Sequence, residues 1–178
     1  MAYIPRLTRP EDGNPYYTVV AYGGLNECIE GYPAAWQGSA LDNCVGFAWG
    51  RAYELLGSRP NCSRGNGGTW WTYPDGYPRG QVAQLGAIAC WDDQDGTGHV
   101  GVVEKIEGNI ITMSFSGWGY MDFYTMTFTA GQYDAFGVLF QGFIYIPWND
   151  DIDLVPLKLG RHWKKRRILV PKEAFNEL

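Results

Sequence analysis

Two side chains stand in settings that suit nucleophilic chemistry: Cys44 in Leu41-Asp42-Asn43-Cys44-Val45-Gly46, and His99 in Gly96-Thr97-Gly98-His99-Val100-Gly101. A thiolate attacks a carbonyl carbon, and a histidine takes the thiol proton and later returns it to the leaving amine. Asp42 is a good N-cap, and Val45, Ala48, Trp49, Ala52, Leu55 and Leu56 follow at helical spacing until Gly57 supplies a stop. Cys44 then falls in the first helical turn, where unpaired amides and the helix dipole lower a thiol pKa. Asn43 and Asp42 can support an oxyanion or cap the helix. His99 opens a predicted strand after an acidic, Gly-containing loop. The other histidine, His162, sits in a basic run and is not placed in the site.

The elements that must position this pair are legible in outline. The first forty residues are rich in Gly, Pro and Tyr and read as an irregular wrap with one short helix near Asn26 to Ile29. Residues 57–81 form a long Gly- and Pro-rich loop with a helical turn near Trp70 and Trp71. Strand-like runs follow at 86–91, 99–106, 109–116, 121–129 and 138–146. Their short connections favour antiparallel pairing, because parallel strands need crossovers of a dozen or more residues. The expected class is α+β, with helices packed on an antiparallel sheet of five or six strands. The expected divisions are an N-terminal arm (1–13), a catalytic domain (14–148) and a C-terminal basic extension (149–178).

At 178 residues the chain suffices for one ordinary domain. Charged residues make up 19% and aromatics 16%, which sets it apart from disordered chains. Eight Trp and twelve Tyr exceed what one core hides, so Trp70, Trp71 and Trp118 are candidates to line a substrate groove. Residues 158–178 carry seven Lys or Arg against two acidic residues, net +5; with a total of −5, residues 1–157 carry −10. An acidic body argues against nucleic acid as the ligand. The basic cluster (Lys158, Arg161, His162, Lys164, Lys165, Arg166, Arg167) reads as a solvated tail, or as a contact for an anionic wall polymer or a protein partner. No apolar stretch reaches a membrane span and no signal-peptide core opens the chain, so no membrane partner is expected. The four cysteines lack the close spacing of metal sites, and no metal or other cofactor is implied. Cys28, Cys62 and Cys90 leave a disulfide open, while a nucleophilic Cys44 should stay free. Asp92-Asp93-Gln94-Asp95-Gly96 resembles a fragment of a calcium loop but lacks the downstream Glu, and reads as a hairpin tip.

Five blocks in order carry a resemblance: Asn43-Cys44-Val45-Gly46-Phe47-Ala48-Trp49-Gly50-Arg51; Leu85-Gly86-Ala87-Ile88-Ala89-Cys90-Trp91; Gly98-His99-Val100-Gly101-Val102-Val103-Glu104; Ser114-Phe115-Ser116-Gly117-Trp118-Gly119; and Phe140-Gln141-Gly142-Phe143-Ile144-Tyr145. From about Asn14 to Pro147 the chain resembles the CHAP family of cysteine- and histidine-dependent amidohydrolases/peptidases, especially bacteriophage lysins and tail-associated wall hydrolases. The resemblance implies a papain-like (NlpC/P60-like) fold, with Cys44 as nucleophile and His99 as base. It implies hydrolysis of an amide bond in bacterial peptidoglycan, by an amidase or an endopeptidase. A phage-encoded protein is expected, either part of a virion and touching tail proteins through the basic extension, or released from the host cytoplasm to the wall.

One position departs from the family. Where members of this type read Ser-Glu-Ser-Gly and the Glu orients the histidine, this chain has Phe115. A three-residue hairpin loop of Ile106, Glu107 and Gly108 sets Phe115 opposite His99; a Glu107-Gly108 turn sets Ser116 there. Ser114 and Ser116 are candidates for the third member. A catalytically impaired wall-binding or virion structural module is the alternative reading, and a protease acting on proteins is a third.

Overall fold

Asn43 begins the helix that carries Cys44. Its backbone is extended (φ −135°), and its side-chain oxygen accepts the Gly46 amide at 2.8 Å, satisfying one of the first-turn donors that no carbonyl reaches. The helix, α1 (Cys44–Leu56), ends where Gly57 turns left-handed at φ 66°. The cap is Asn43 rather than Asp42, because Asp42 itself sits at φ 68° and hands the chain into the cap. Val45, Phe47, Ala48, Trp49 and Ala52 are all buried. A helix buried on most of its circumference needs cover on two sides.

The computed structural model describes residues 2–29, 38–148, 154–156 and 167–169. The N-terminal segment gives α1 its first cover. It contains two 3-10 turns, Pro15–Tyr17 and Val20–Tyr22, and the helix expected near Asn26 to Ile29 is instead a bridge between Asn26 and Val19 followed by a turn. Asn26 is buried, donating to Tyr16 O and Gly46 O at 2.8 and 2.9 Å and accepting from Cys28 N. The Asn26 backbone amide donates to Thr18 O and its carbonyl accepts from Val20 N, which takes the groups a local helix would have used.

A six-stranded antiparallel sheet gives the second cover. Its strands are β1 (Arg79–Gly80), β2 (Ile88–Asp92), β3 (His99–Glu107), β4 (Ile110–Phe115), β5 (Tyr124–Thr129) and β6 (Leu139–Ile144), in the order β1-β6-β2-β3-β4-β5. One helix on an antiparallel sheet is the α+β, papain-like arrangement. The β3–β4 hairpin follows neither predicted register. Glu107 faces Ile110 across a turn of Gly108 and Asn109, and the pairing slips by one between Val103 and Lys105, so Glu104 is a bulge residue.

That bulge turns Glu104 into the interior, where it is 1% exposed. Its carboxylate accepts from Arg51 Nε (3.0 Å) and Nη2 (2.9 Å), Ser114 Oγ (2.8 Å), Tyr3 Oη (2.7 Å) and the Arg6 amide (2.8 Å). Arg51 also reaches Glu54 at 2.7 Å, and Arg6 pairs with Glu54. One network thus joins the first residues of the chain, α1, β3 and β4. Residues 2–13 are docked through Tyr3 and Arg6 and belong to the unit Ala2–Ile146.

Another cluster unites Trp91, Val103, Met113, Phe115, Phe128, Tyr133 and Phe143 with the partly buried Phe136 and Phe140. The C-terminal unit begins at Pro147 and contains a two-stranded antiparallel ladder, β7 (Leu154–Pro156) with β8 (Arg167–Leu169). The basic cluster from Lys158 to Arg166 lies outside the described residues; Arg167 opens β8.

Candidate active site

Cys44 is the first residue of α1, and the capping arrangement decides which amides face it. Gly46 N is taken by the Asn43 side chain and Phe47 N by Asn43 O at 2.9 Å. The amides of Cys44 and Val45, joined by that of Val100 from β3, act on the sulfur and favour its anionic form. Burial outweighs them and raises the Cys44 thiol above its ordinary value of 9.0. The residue is partly exposed at its edge while its sulfur is packed. Asn43 acts as the cap, and its oxygen is an acceptor, so oxyanion stabilisation falls to the backbone amides.

The Val100 contact brings the two sequence-predicted residues together, since Val100 follows His99 in β3. Gly117 closes the site from the other side. At φ 84° it lets the β4–β5 connection pass so close to the start of α1 that a Cβ there would lie 2.8 Å from the Cys44 nitrogen.

His99 is 1% exposed and enclosed by rings. Phe115 stacks on it (centroids 5.6 Å apart, planes 12°), Phe136 meets it edge-on at 4.5 Å, and Trp118 lies at 5.1 Å. Gly101 admits the Phe115 ring, because a Cβ at 101 would sit 2.2 Å from it. Phe136 holds φ 61°, an uncommon conformation for a bulky residue, at the point where it covers the imidazole. Burial pushes the His99 pKa down to about 3, so the ring is neutral near pH 7.

Among the described residues the imidazole has one hydrogen-bond partner: Nε2 lies 3.1 Å from Tyr124 Oη. Neither predicted serine contacts it. Ser114 donates to Glu104, and the buried Ser116 hydroxyl is unpartnered. Tyr124 escaped the sequence reading because it is distant in the chain; the signal available was the β4–β5 pairing, which sets it directly opposite Phe115.

The three candidate tryptophans separate. Trp118 is 37% exposed beside His99 and can meet a substrate. Trp70 is fully buried, its indole donating to Gly65 O at 3.0 Å, and is a core residue because that bond satisfies its one polar atom. Trp71 is partly exposed, packs close to Gly142, and gives its carbonyl to Arg79 at 2.6 Å. The acidic loop bonds to itself: Asp92 accepts the Gln94 amide, and Asp93 and Asp95 accept the Thr97 amide. All four cysteines are free thiols.

A helix-borne thiol against a strand-borne histidine on an antiparallel sheet defines the papain-like class of cysteine hydrolases. Residues 34–116 match the family model for the CHAP domain, a family of peptidoglycan amidases and peptidases. A comparison with curated proteins finds no match. The matched segment holds Cys44, His99 and Phe115 and stops before Tyr124.

Proposed function

We propose that this protein hydrolyses an amide bond of bacterial peptidoglycan, with Cys44 as nucleophile and His99 as general base and acid. The observation that carries the reading is the meeting of Cys44, at the start of α1, with the backbone of β3 beside His99. Thiol and imidazole are both neutral at rest, so the proton passes from sulfur to imidazole as sulfur attacks the carbonyl carbon. Negative charge on the carbonyl oxygen meets the amides at the helix start. The imidazolium gives its proton to the leaving amine as the C–N bond breaks. Water, deprotonated by His99, then cleaves the thioester to a carboxylic acid and the free thiol.

The ordered likeness to lysins and tail-associated wall hydrolases supports a phage protein that reaches the wall during entry or lysis. The exposed face of Trp118 beside His99 suits a glycan or peptide chain. Zymography on bacterial walls tests the assignment: wild type clears, Cys44→Ala does not, and equal clearing by both sinks the nucleophile. Among the described residues no carboxylate hydrogen-bonds to His99, which favours a second reading, a wall-binding module that does not cut. Wall binding without release of new amino groups would select it.

A further inference from the structure

We propose that Tyr124 is the positioning residue of this site: its hydroxyl oxygen accepts the Nε2 proton of His99 and holds the imidazole in the tautomer whose other nitrogen, Nδ1, is free to act as the base. The proposal rests on the reading of Cys44 and His99 as nucleophile and base.

A neutral imidazole carries one proton, and the bond made by one nitrogen decides which nitrogen has it. Tyr124 lies 3.1 Å from Nε2. A tyrosine hydroxyl can give or accept, so its surroundings settle the direction. Tyr124 is half-buried with its oxygen facing the ring, and the need for an unprotonated ring nitrogen fixes the sense of the bond. Donation in the opposite sense would put the imidazole proton on Nδ1 and occupy Nε2, leaving neither nitrogen ready to act as base. Burial and the neighbouring Cys44 raise the Tyr124 pKa, so it stays a neutral phenol throughout.

The geometry is held by stacked rings. Phe115 and Tyr124 are directly paired across β4 and β5, with centroids 5.3 Å apart and planes at 17°. The same Phe115 ring lies parallel to His99 on its other contact. The Phe115 ring therefore packs against both rings of the pair, and the bond to the histidine comes from the next strand. A neutral oxygen orients the imidazole without stabilising the imidazolium as a carboxylate would.

Long-range 1H–15N spectra of the labelled full chain read the imidazole tautomer directly, and His162→Ala assigns the two histidines. The expected result near pH 7 is an Nε2–H tautomer for His99 in wild type and a mixture in Tyr124→Phe. In that variant kcat on purified wall fragments falls roughly tenfold, the rate equivalent of one hydrogen bond, with KM unchanged. An Nδ1–H tautomer in wild type, or wild-type tautomer and rate in Tyr124→Phe, overturns the proposal. If Cys44→Ala cleaves as well as wild type, the hydrolase reading falls separately, and the wild-type tautomer still decides whether Tyr124 holds the ring in this sense.

Discussion

Acidification should strike this fold through His99. The imidazole is 1% exposed, touches the rings of Phe115, Phe136 and Trp118, and has a neutral hydroxyl as its partner. Folded, it takes up a proton only at about pH 3; in the unfolded chain it does so at its ordinary value of 6.5. Above that value neither state is protonated and burial of the neutral ring contributes fully to stability. As the pH falls the unfolded state binds the proton first, so the folded state loses ground until pH reaches the folded value. Each unit of separation is worth about 1.4 kcal/mol, so the loss from His99 alone is about 3 kcal/mol by pH 4 and approaches about 5 kcal/mol at the limit. The carboxylates of the protein titrate in the same range, so the measurement must be a difference. Urea unfolding of wild type and His99→Gln, followed from about pH 7 to about pH 4, isolates the term because glutamine does not titrate. Wild type should lose about 3 kcal/mol more than the variant, with the divergence beginning near pH 6.5. Parallel stability curves would refute the reasoning, because they would mean that the folded protein admits the proton as readily as the unfolded chain.

Two further outcomes follow from other buried groups. Glu104→Gln should destabilise the protein by about 3 kcal/mol, because it leaves the Arg51 guanidinium facing a neutral partner in the interior; a thermal melt should fall by roughly 6–12 °C. Lys105→Ala, which removes an exposed pair with Glu107, should change stability by less than about 1 kcal/mol, and equal effects of the two would contradict the assigned role of the bulge. Alkylation of Cys44 by iodoacetamide should become half-maximal only above pH 9.0, since burial raises this thiol. A midpoint below about pH 7 would instead indicate a thiolate–imidazolium pair already formed at rest.

The strands and helix were legible because their signals are local. Five alternating runs became β2 to β6 within a few residues, and Gly57 ended α1 where its left-handed capacity was needed. The helix start was misplaced by one residue because Asp42 and Asn43 are both capping types, and only the backbone tells that Asp42 has positive φ. The hairpin register failed for a non-local reason. Glu104 bulges inward to reach Arg51, whose position depends on α1, and no short-range pattern in β3 announces a buried ion pair. Trp70 and Trp118 show the same limit, since one closes the interior and the other borders the site. Tyr124 required knowing the β4–β5 pairing, and the family pattern that exposed the missing Glu ends before it.

A phenyl ring in place of a carboxylate beside the proposed base changes more than one hydrogen bond. A carboxylate at 115 would favour imidazolium, and imidazolium would favour thiolate, so charge separation would be present before substrate arrives. Phe115 removes the first step of that chain, and the enclosing rings of Phe136 and Trp118 strengthen the effect by excluding water. The driving force for attack must then come when the substrate carbonyl enters and the helix amides meet the developing oxyanion. A thiol that stays protonated until that moment is also a poor target for oxidants, which react with the thiolate. Cys44 is the one partly exposed cysteine among the described residues, and the others are buried with raised pKa values. The aromatic enclosure thus lowers resting reactivity at the one cysteine that is not fully buried.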